Sequence, residues 1–213
     1  MHIIHRGLLK KTFKENTIRS FKETFKKNYG IETDIHATKD NEFICYHDFT
    51  LKRLFKINKC VKNLNYEYLK YLSKNKKSLI PLLKDLLKLS KGKYYLFIEI
   101  KPLLSIKLIK KLINETSKFK KCVFISFNEK NINNLLKFKK NINVGLSFST
   151  KSSIKTIIKR SKNNKIKYLI LDKIFIKKKK IKKINKIKFF YTIKKKKEFL
   201  KYCSQNNLIF ENL

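Results

Sequence analysis

Tryptophan is absent from the 213 residues, methionine and alanine occur once each, proline twice, and glycine and cysteine four times each. Cysteines this few, scattered at Cys45, Cys60, Cys122 and Cys203 without C-x-x-C spacing or paired histidines, exclude a disulfide framework or zinc ribbon and predict four reduced, mostly buried thiols. Lysines interrupt every apolar run before it reaches the roughly 18 residues that span a bilayer, which excludes a transmembrane segment. The opening MHIIHRG has no charged leader, apolar h-region or small-residue cleavage site, and a cytoplasmic protein is expected. Acids are scarce as well, 15 against 54 Lys plus Arg, for a net charge of +39. That balance ordinarily suggests nucleic acid or an anionic membrane. Arginine, however, is confined to Arg6, Arg19, Arg53 and Arg160. Phosphate-reading surfaces favour the planar guanidinium fork over the lysine ammonium. The charge therefore reads as compositional drift along the whole chain, and no specific nucleic-acid partner is expected.

What is present is an alternation of short β-branched and aromatic runs with longer lysine-rich amphipathic stretches. Strands are predicted at 2–5, 31–36, 94–100, 122–127, 142–148, 167–171, 187–192 and 207–210, about the number that closes a parallel (β/α)8 TIM barrel. Helices are predicted near 65–74, 79–90, 103–119, 129–139, 150–161 and 194–205, with a short or irregular link at 177–185. The first helix is the best delimited: Asn16 and Thr17 can cap it, Ile18, Phe21 and Phe25 recur at helical spacing, and Gly30 can end it. The whole chain, 1–213, reads as a single barrel domain. Within it, the segment 48–93 after the second strand is longer than an ordinary βα connection and carries two helical patterns. It is expected as a short helical insertion over one mouth of the barrel.

In a chain this basic, an acid inside an apolar run requires a reason. Glu32 and Asp34 in GIETDI share strand parity and face one side of the sheet. Glu99 interrupts YYLFIEI, with Lys101 at the same parity. Buried neighbouring carboxylates repel one another and lose hydration unless a cation joins them. A divalent metal held by Glu32, Asp34 and Glu99 resolves the conflict, and oxygen-only ligands favour magnesium or calcium. Pairing with the abundant lysines is the competing account. His5 ends the first strand and His47 follows the second, so in a parallel barrel both converge with the acids on the face formed by the strands' C-terminal ends. Two imidazoles beside a metal and an arginine form a general acid and base pair suited to phosphoryl chemistry. His2 and His36 are expected to be structural.

HRG at 5–7, ENT at 15–17, the E-x-D of Glu32 and Asp34, TKD at 38–40, His47-Asp48 followed by Leu51 and Arg53, and the E-x-K of Glu99 and Lys101 together resemble the glycerophosphodiester phosphodiesterases in order and spacing. Ser126-Phe127 and Tyr191-Thr192 extend the likeness more loosely. The resemblance implies a (β/α)8 barrel with His5 and His47 as general acid and base, and with Glu32, Asp34 and Glu99 holding the divalent metal. It further implies that Arg6 and Lys101 contact the phosphate and that Glu15 supports Arg6 or the metal shell. Lys14, Asn41 and Tyr191 replace the Pro, Gly and Trp usual at their positions, and Glu211 occupies the acidic place after the last strand. These departures bear on substrate preference more than on chemistry.

The expected activity is hydrolysis of a small-molecule glycerophosphodiester to glycerol 3-phosphate and an alcohol. The attacking oxygen is either water or the substrate's own 2-hydroxyl. Two further readings carry discriminators. A lysophospholipase D would need an apolar entrance in 48–93, but Leu79, Leu82, Leu83, Leu86 and Leu87 fall on one helical stripe suited to the core. A nucleic-acid binder would need arginine and aromatic interleaving in the basic runs, which carry mostly lysine and isoleucine.

Overall fold

The computed structural model of the chain describes residues 1–10, 14–75 and 79–213. The first strand, β1 (His2–His5), leads to α1 (Ile18–Lys26) and then to β2 (Gly30–Ala37) and β3 (Phe43–Cys45). Three helices follow, α2 (Lys52–Phe55), α3 (Tyr66–Asn75) and α4 (Leu83–Ser90). Strand and helix then alternate: β4 (Leu96–Ile100), α5 (Ile106–Thr116), β5 (Cys122–Ser126), α6 (Glu129–Phe138), β6 (Val144–Phe148), α7 (Ile154–Ser161), β7 (Tyr168–Asp172), α8 (Lys179–Lys182), β8 (Ile187–Ile193), α9 (Lys196–Tyr202) and β9 (Asn207–Phe210).

Eight strands pair in parallel in the order β1, β2, β4, β5, β6, β7, β8, β9, and β9 returns to β1, which closes a TIM barrel. The predicted strand count and sequence positions match this barrel, with ends that move by one or two residues. β3 is the addition. It pairs antiparallel with β2 through Ile35–Cys45 and Ala37–Phe43, and three residues are too few for a period to register in sequence.

Local chemistry sets the limits of α1. Thr17 is its N-cap and accepts from the Ser20 amide, while the Ser20 hydroxyl accepts from the Thr17 amide. The helix does not run to Gly30. It ends where Asn28 takes a positive φ of 59°. Gly30 instead opens β2, where an added Cβ would lie 2.7 Å from both the Tyr95 carbonyl oxygen and Ile3 Cδ1. The helix expected at 79–90 begins only at Leu83, because Leu82 is extended and pairs with Ile44 beside β3. Leu82, Leu83, Leu86 and Leu87 are buried as the stripe predicts, whereas Leu79 precedes the helix and is exposed.

Ile3, Phe97, Val123, Ile125, Tyr168, Ile170, Phe189 and Ile209 fill the barrel interior. Phe97 packs on both Tyr168 and Phe189, with ring centroids 5.6 and 4.7 Å away. A larger apolar layer lies between the strands and the helices. A third cluster, including Ile44, Leu51, Phe55, Val61 and Leu69, anchors the segment after β3. Among the cysteines Cys45 and Cys122 are buried, but Cys60 is exposed and Cys203 half-buried, so the thiols are less covered than expected. Among the described residues no helix is long and apolar enough to cross a membrane.

Candidate active site

Strand register assembles the site. His5 is level with Glu32 across β1 and β2, and Asp34 is level with Glu99 across β2 and β4. With Lys101 just beyond β4, these inward-facing side chains meet in one cavity of about 270 Å³. Arg6, His47, Phe127, Tyr191 and Thr192 complete its mouth, while Ile125, Ile170 and Ile209 form its apolar floor. Arg6 reaches the cavity because the chain turns sharply after β1, with φ of 55° at Arg6 and 76° at Gly7. A Cβ on Gly7 would sit 2.6 Å from Ser20 Oγ at the start of α1, so glycine is required there.

One oxygen from each of Glu32, Asp34 and Glu99 lies within 4.8 Å of the other two. All three residues are buried. Burial, aggravated by Asp34 and Glu99, pushes the Glu32 carboxyl well above its usual range, and burial beside Asp34 lifts Glu99 to about 7. Burial also acts to raise Asp34, but Arg6 and Lys101 outweigh it and hold that carboxyl below its usual value. Lys101 Nζ donates to Glu99 Oε1 at 2.8 Å and lies 3.4 Å from Asp34 Oδ1, while Arg6 Nε lies 3.1 Å from Asp34 Oδ2. Two cations thus face three acids. Glu32 Oε2 and Asp34 Oδ2 are buried without a hydrogen bond. Convergent buried carboxylate oxygens that lack a hydrogen bond are the donor set of a hard divalent cation, and the trio fits one.

Both cavity histidines are fixed by carboxylates. His5 Nδ1 is 2.6 Å from Glu211 Oε1, and its Nε2 is 3.6 Å from Glu32 Oε2. The bond from His5, reinforced by Lys194, holds Glu211 down at about 2. His47 Nδ1 is 2.7 Å from Asp48 Oδ1. Since an ionised carboxylate only accepts, both imidazoles carry the proton on Nδ1 and leave Nε2 for other partners. Burial lowers the His47 pKa, favouring the neutral ring. Glu15 lies at the edge of this group and accepts from Arg6 Nη1 at 3.3 Å. His36 is buried, its Nε2 3.1 Å from the His47 carbonyl oxygen, and His2 packs edge-on against Phe199.

The structure therefore brings together His5, His47, Arg6, Lys101, Glu32, Asp34 and Glu99, with Glu15 touching Arg6. Among the described residues, none of 48–93 lines the cavity, and the segment reaches the site through Asp48 and Arg53. Glu211 was legible as an acid in a family position, but its bond to His5 was not. Its only sequence signal is strand parity with the inward Ile209.

A profile of the Glycerophosphoryl diester phosphodiesterase family matches residues 5–207. The chain belongs to this family. No curated protein sequence is significantly similar to it. Its fold is that of solved phosphodiesterases. An Oleispira antarctica phosphodiesterase, determined in complex with the product sn-glycerol-3-phosphate, is 20% identical with a TM-score of 0.85, over 99% of this chain and 92% of that one. A Thermotoga maritima glycerophosphodiester phosphodiesterase is 21% identical with a TM-score of 0.80, over 98% and 93% of the two chains. One from Parabacteroides distasonis is 20% identical with a TM-score of 0.79, over 98% and 91%.

Proposed function

We propose that this member of the phosphodiesterase family is a metal-dependent glycerophosphodiester phosphodiesterase that releases glycerol 3-phosphate and a small alcohol. The observation that carries the reading is the buried Glu32–Asp34–Glu99 trio, with unsatisfied oxygens, in one cavity with two carboxylate-fixed histidines and two cations. The product seen in the Oleispira antarctica relative is of the same class.

Glu32, Asp34 and Glu99 hold the divalent ion, magnesium or calcium. Bound there, it supplies positive charge to the non-bridging phosphate oxygens. Arg6 and Lys101 bind the phosphate and share that neutralisation, and Glu15 braces Arg6. One imidazole takes the proton of the attacking oxygen as the new P–O bond forms. The other gives a proton to the leaving alcohol as the old P–O bond breaks. Water attack gives glycerol 3-phosphate directly. Attack by the 2-hydroxyl gives a cyclic phosphate that water opens in a second turn, with the two histidines exchanging roles.

The lining of the cavity supports the small-substrate reading. A lysophospholipid requires an apolar entrance from 48–93, and no described residue of that segment lines the cavity. Glycerophosphocholine and glycerophosphoethanolamine, each assayed with chelator and then with Mg²⁺ or Ca²⁺ restored, test the reading. The expected result is metal-restored glycerol 3-phosphate release. Chelator-resistant turnover, or turnover of lysophospholipid alone, overturns it.

A further inference from the structure

Arg53 belongs to the motif after His47 yet lines no part of the cavity. It sits in the single turn of α2, between Leu51 and Phe55, both buried in the cluster behind β3. From there its two edges reach two different carboxylates. Nε donates to Asp48 Oδ2 at 2.6 Å, and Nη2 donates to Glu15 Oε1. Each of those acids holds a cavity residue: Asp48 Oδ1 accepts from His47 Nδ1–H, and Glu15 Oε1 accepts from Arg6. One ionic chain therefore runs from His47 through Asp48, Arg53, Glu15 and Arg6 to Asp34.

We propose that Arg53 is a positioning residue for phosphodiester cleavage: it joins Asp48 to Glu15 and through them fixes the His47 ring and the Arg6 guanidinium at the cavity. This rests on the proposed function, since it assigns His47 and Arg6 their work. Three arguments support it. Glu15 and Asp48 come from separate segments, and the Arg53 guanidinium is the group that bonds to both and so ties one segment to the other. Only a planar fork bonds two carboxylates in fixed directions at once; a lysine ammonium supplies the charge without the geometry. Finally, the Arg53 side chain is 46% exposed, so its ion pairs contribute little to stability, and their consequence is orientation. The long segment after β3 thereby gains a role, because its buried Leu51 and Phe55 hold the brace that sets the mouth of the barrel.

The test compares wild type with Arg53→Met and Arg53→Lys. The chain has four histidines, so labelled imidazole nitrogens resolve His47 by NMR without any need for turnover. Wild type is expected to show the Nδ1–H tautomer at His47. Arg53→Met should show a tautomer mixture and a kcat lower by roughly 10-fold to 100-fold, the scale of a small misplacement, with Tm nearly unchanged. Arg53→Lys should recover only part of the loss, and added methylguanidinium should rescue Arg53→Met. Folded variants that keep both wild-type kcat and the wild-type His47 tautomer overturn the proposal. So does unfolding of both variants, which would make Arg53 a stability residue. If wild type turns over no glycerophosphodiester with any divalent ion, the functional reading fails by itself, and the tautomer measurement still decides whether Arg53 sets His47.

Discussion

His5 Nδ1 and Glu211 Oε1 stand 2.6 Å apart, although 206 positions separate them in the chain. The bond joins the end of β1 to the residue just past β9, across the seam where the barrel closes. Glu211 orients an imidazole as the carboxylate of a catalytic triad does, by accepting from Nδ1 and selecting the tautomer that offers Nε2. Replacing Glu211 with Gln should lower kcat by roughly 10²-fold, the scale of one misoriented general acid or base, with a smaller change in KM. Steady-state kinetics on the folded variant check this, and an unchanged kcat would remove Glu211 from the mechanism.

Removing the acids should separate binding from folding. Glu32→Ala, Asp34→Ala or Glu99→Ala should each abolish divalent-ion binding by calorimetry and reduce turnover to background, while the circular dichroism spectrum stays that of the barrel. Glu32 and Glu99 are held above their usual range, so their loss relieves the metal-free fold, whereas loss of Asp34 takes the shared partner from Arg6 and Lys101 at the cavity without touching the apolar layers of the barrel. Stoichiometric Mg²⁺ or Ca²⁺ binding by the triple variant would count decisively against the site.

The burial of these acids also sets a pH dependence. Glu99 is lifted to about 7 from an ordinary 4.5, so between these values the folded chain holds a proton that the unfolded chain has released. The Glu99 contribution to the stability of the metal-free protein therefore falls as pH rises through that window, and Glu32 acts in the same direction. Glu211, held down at about 2, acts below it: its contribution is complete above 4.5 and is lost as pH drops toward 2. Buried His36 and His47, held below their usual range, act in the opposite direction over part of that window, so the acid's share is read by comparison with Glu99→Gln. In chelator, the Tm of wild type should lose ground to that of Glu99→Gln as pH rises from about 4.5 to 7. A divalent ion, binding the folded acids only, should reverse that loss. A wild-type Tm that gains on Glu99→Gln across the window in chelator would contradict the electrostatics of the trio.

Proton transfer by both histidines predicts a bell-shaped dependence of turnover on pH. His5→Ala and His47→Ala should each lose roughly 10²-fold to 10⁴-fold in kcat with metal affinity nearly unchanged. The double variant should lose much less than the product of the two, because groups that act as a unit are not additive. Near-normal turnover by either folded single variant would exclude that histidine from the chemistry.

Periodicity and parity, properties of neighbouring residues, sufficed for much of this protein. The eight apolar runs predicted the barrel strands, because a strand buried on both faces has to be apolar along its length. The parity of Glu32 with Asp34, and the isolation of Glu99 inside YYLFIEI, marked the three acids before any fold was known, because an acid in an apolar run stands out by its hydration cost. Other features depended on long-range packing. β3 is too short to carry a period, and Gly30 serves the close approach to Tyr95 at the start of β2 while α1 has already ended at Lys26, before the positive φ of Asn28. The pairing of His5 with Glu211 exists only once β9 has closed on β1, and the Asp48–Arg53–Glu15 brace exists only once the segment anchored by Leu51 and Phe55 lies beside the loop after β1. Local pattern in the chain marked the three acids and set His5 and His47 beside them, and the resemblance to the phosphodiesterases added Arg6, Lys101 and Glu15. Which partners hold them was settled by the folded barrel, because a hydrogen bond of under about 3 Å between distant residues is set by the register and packing of the whole molecule.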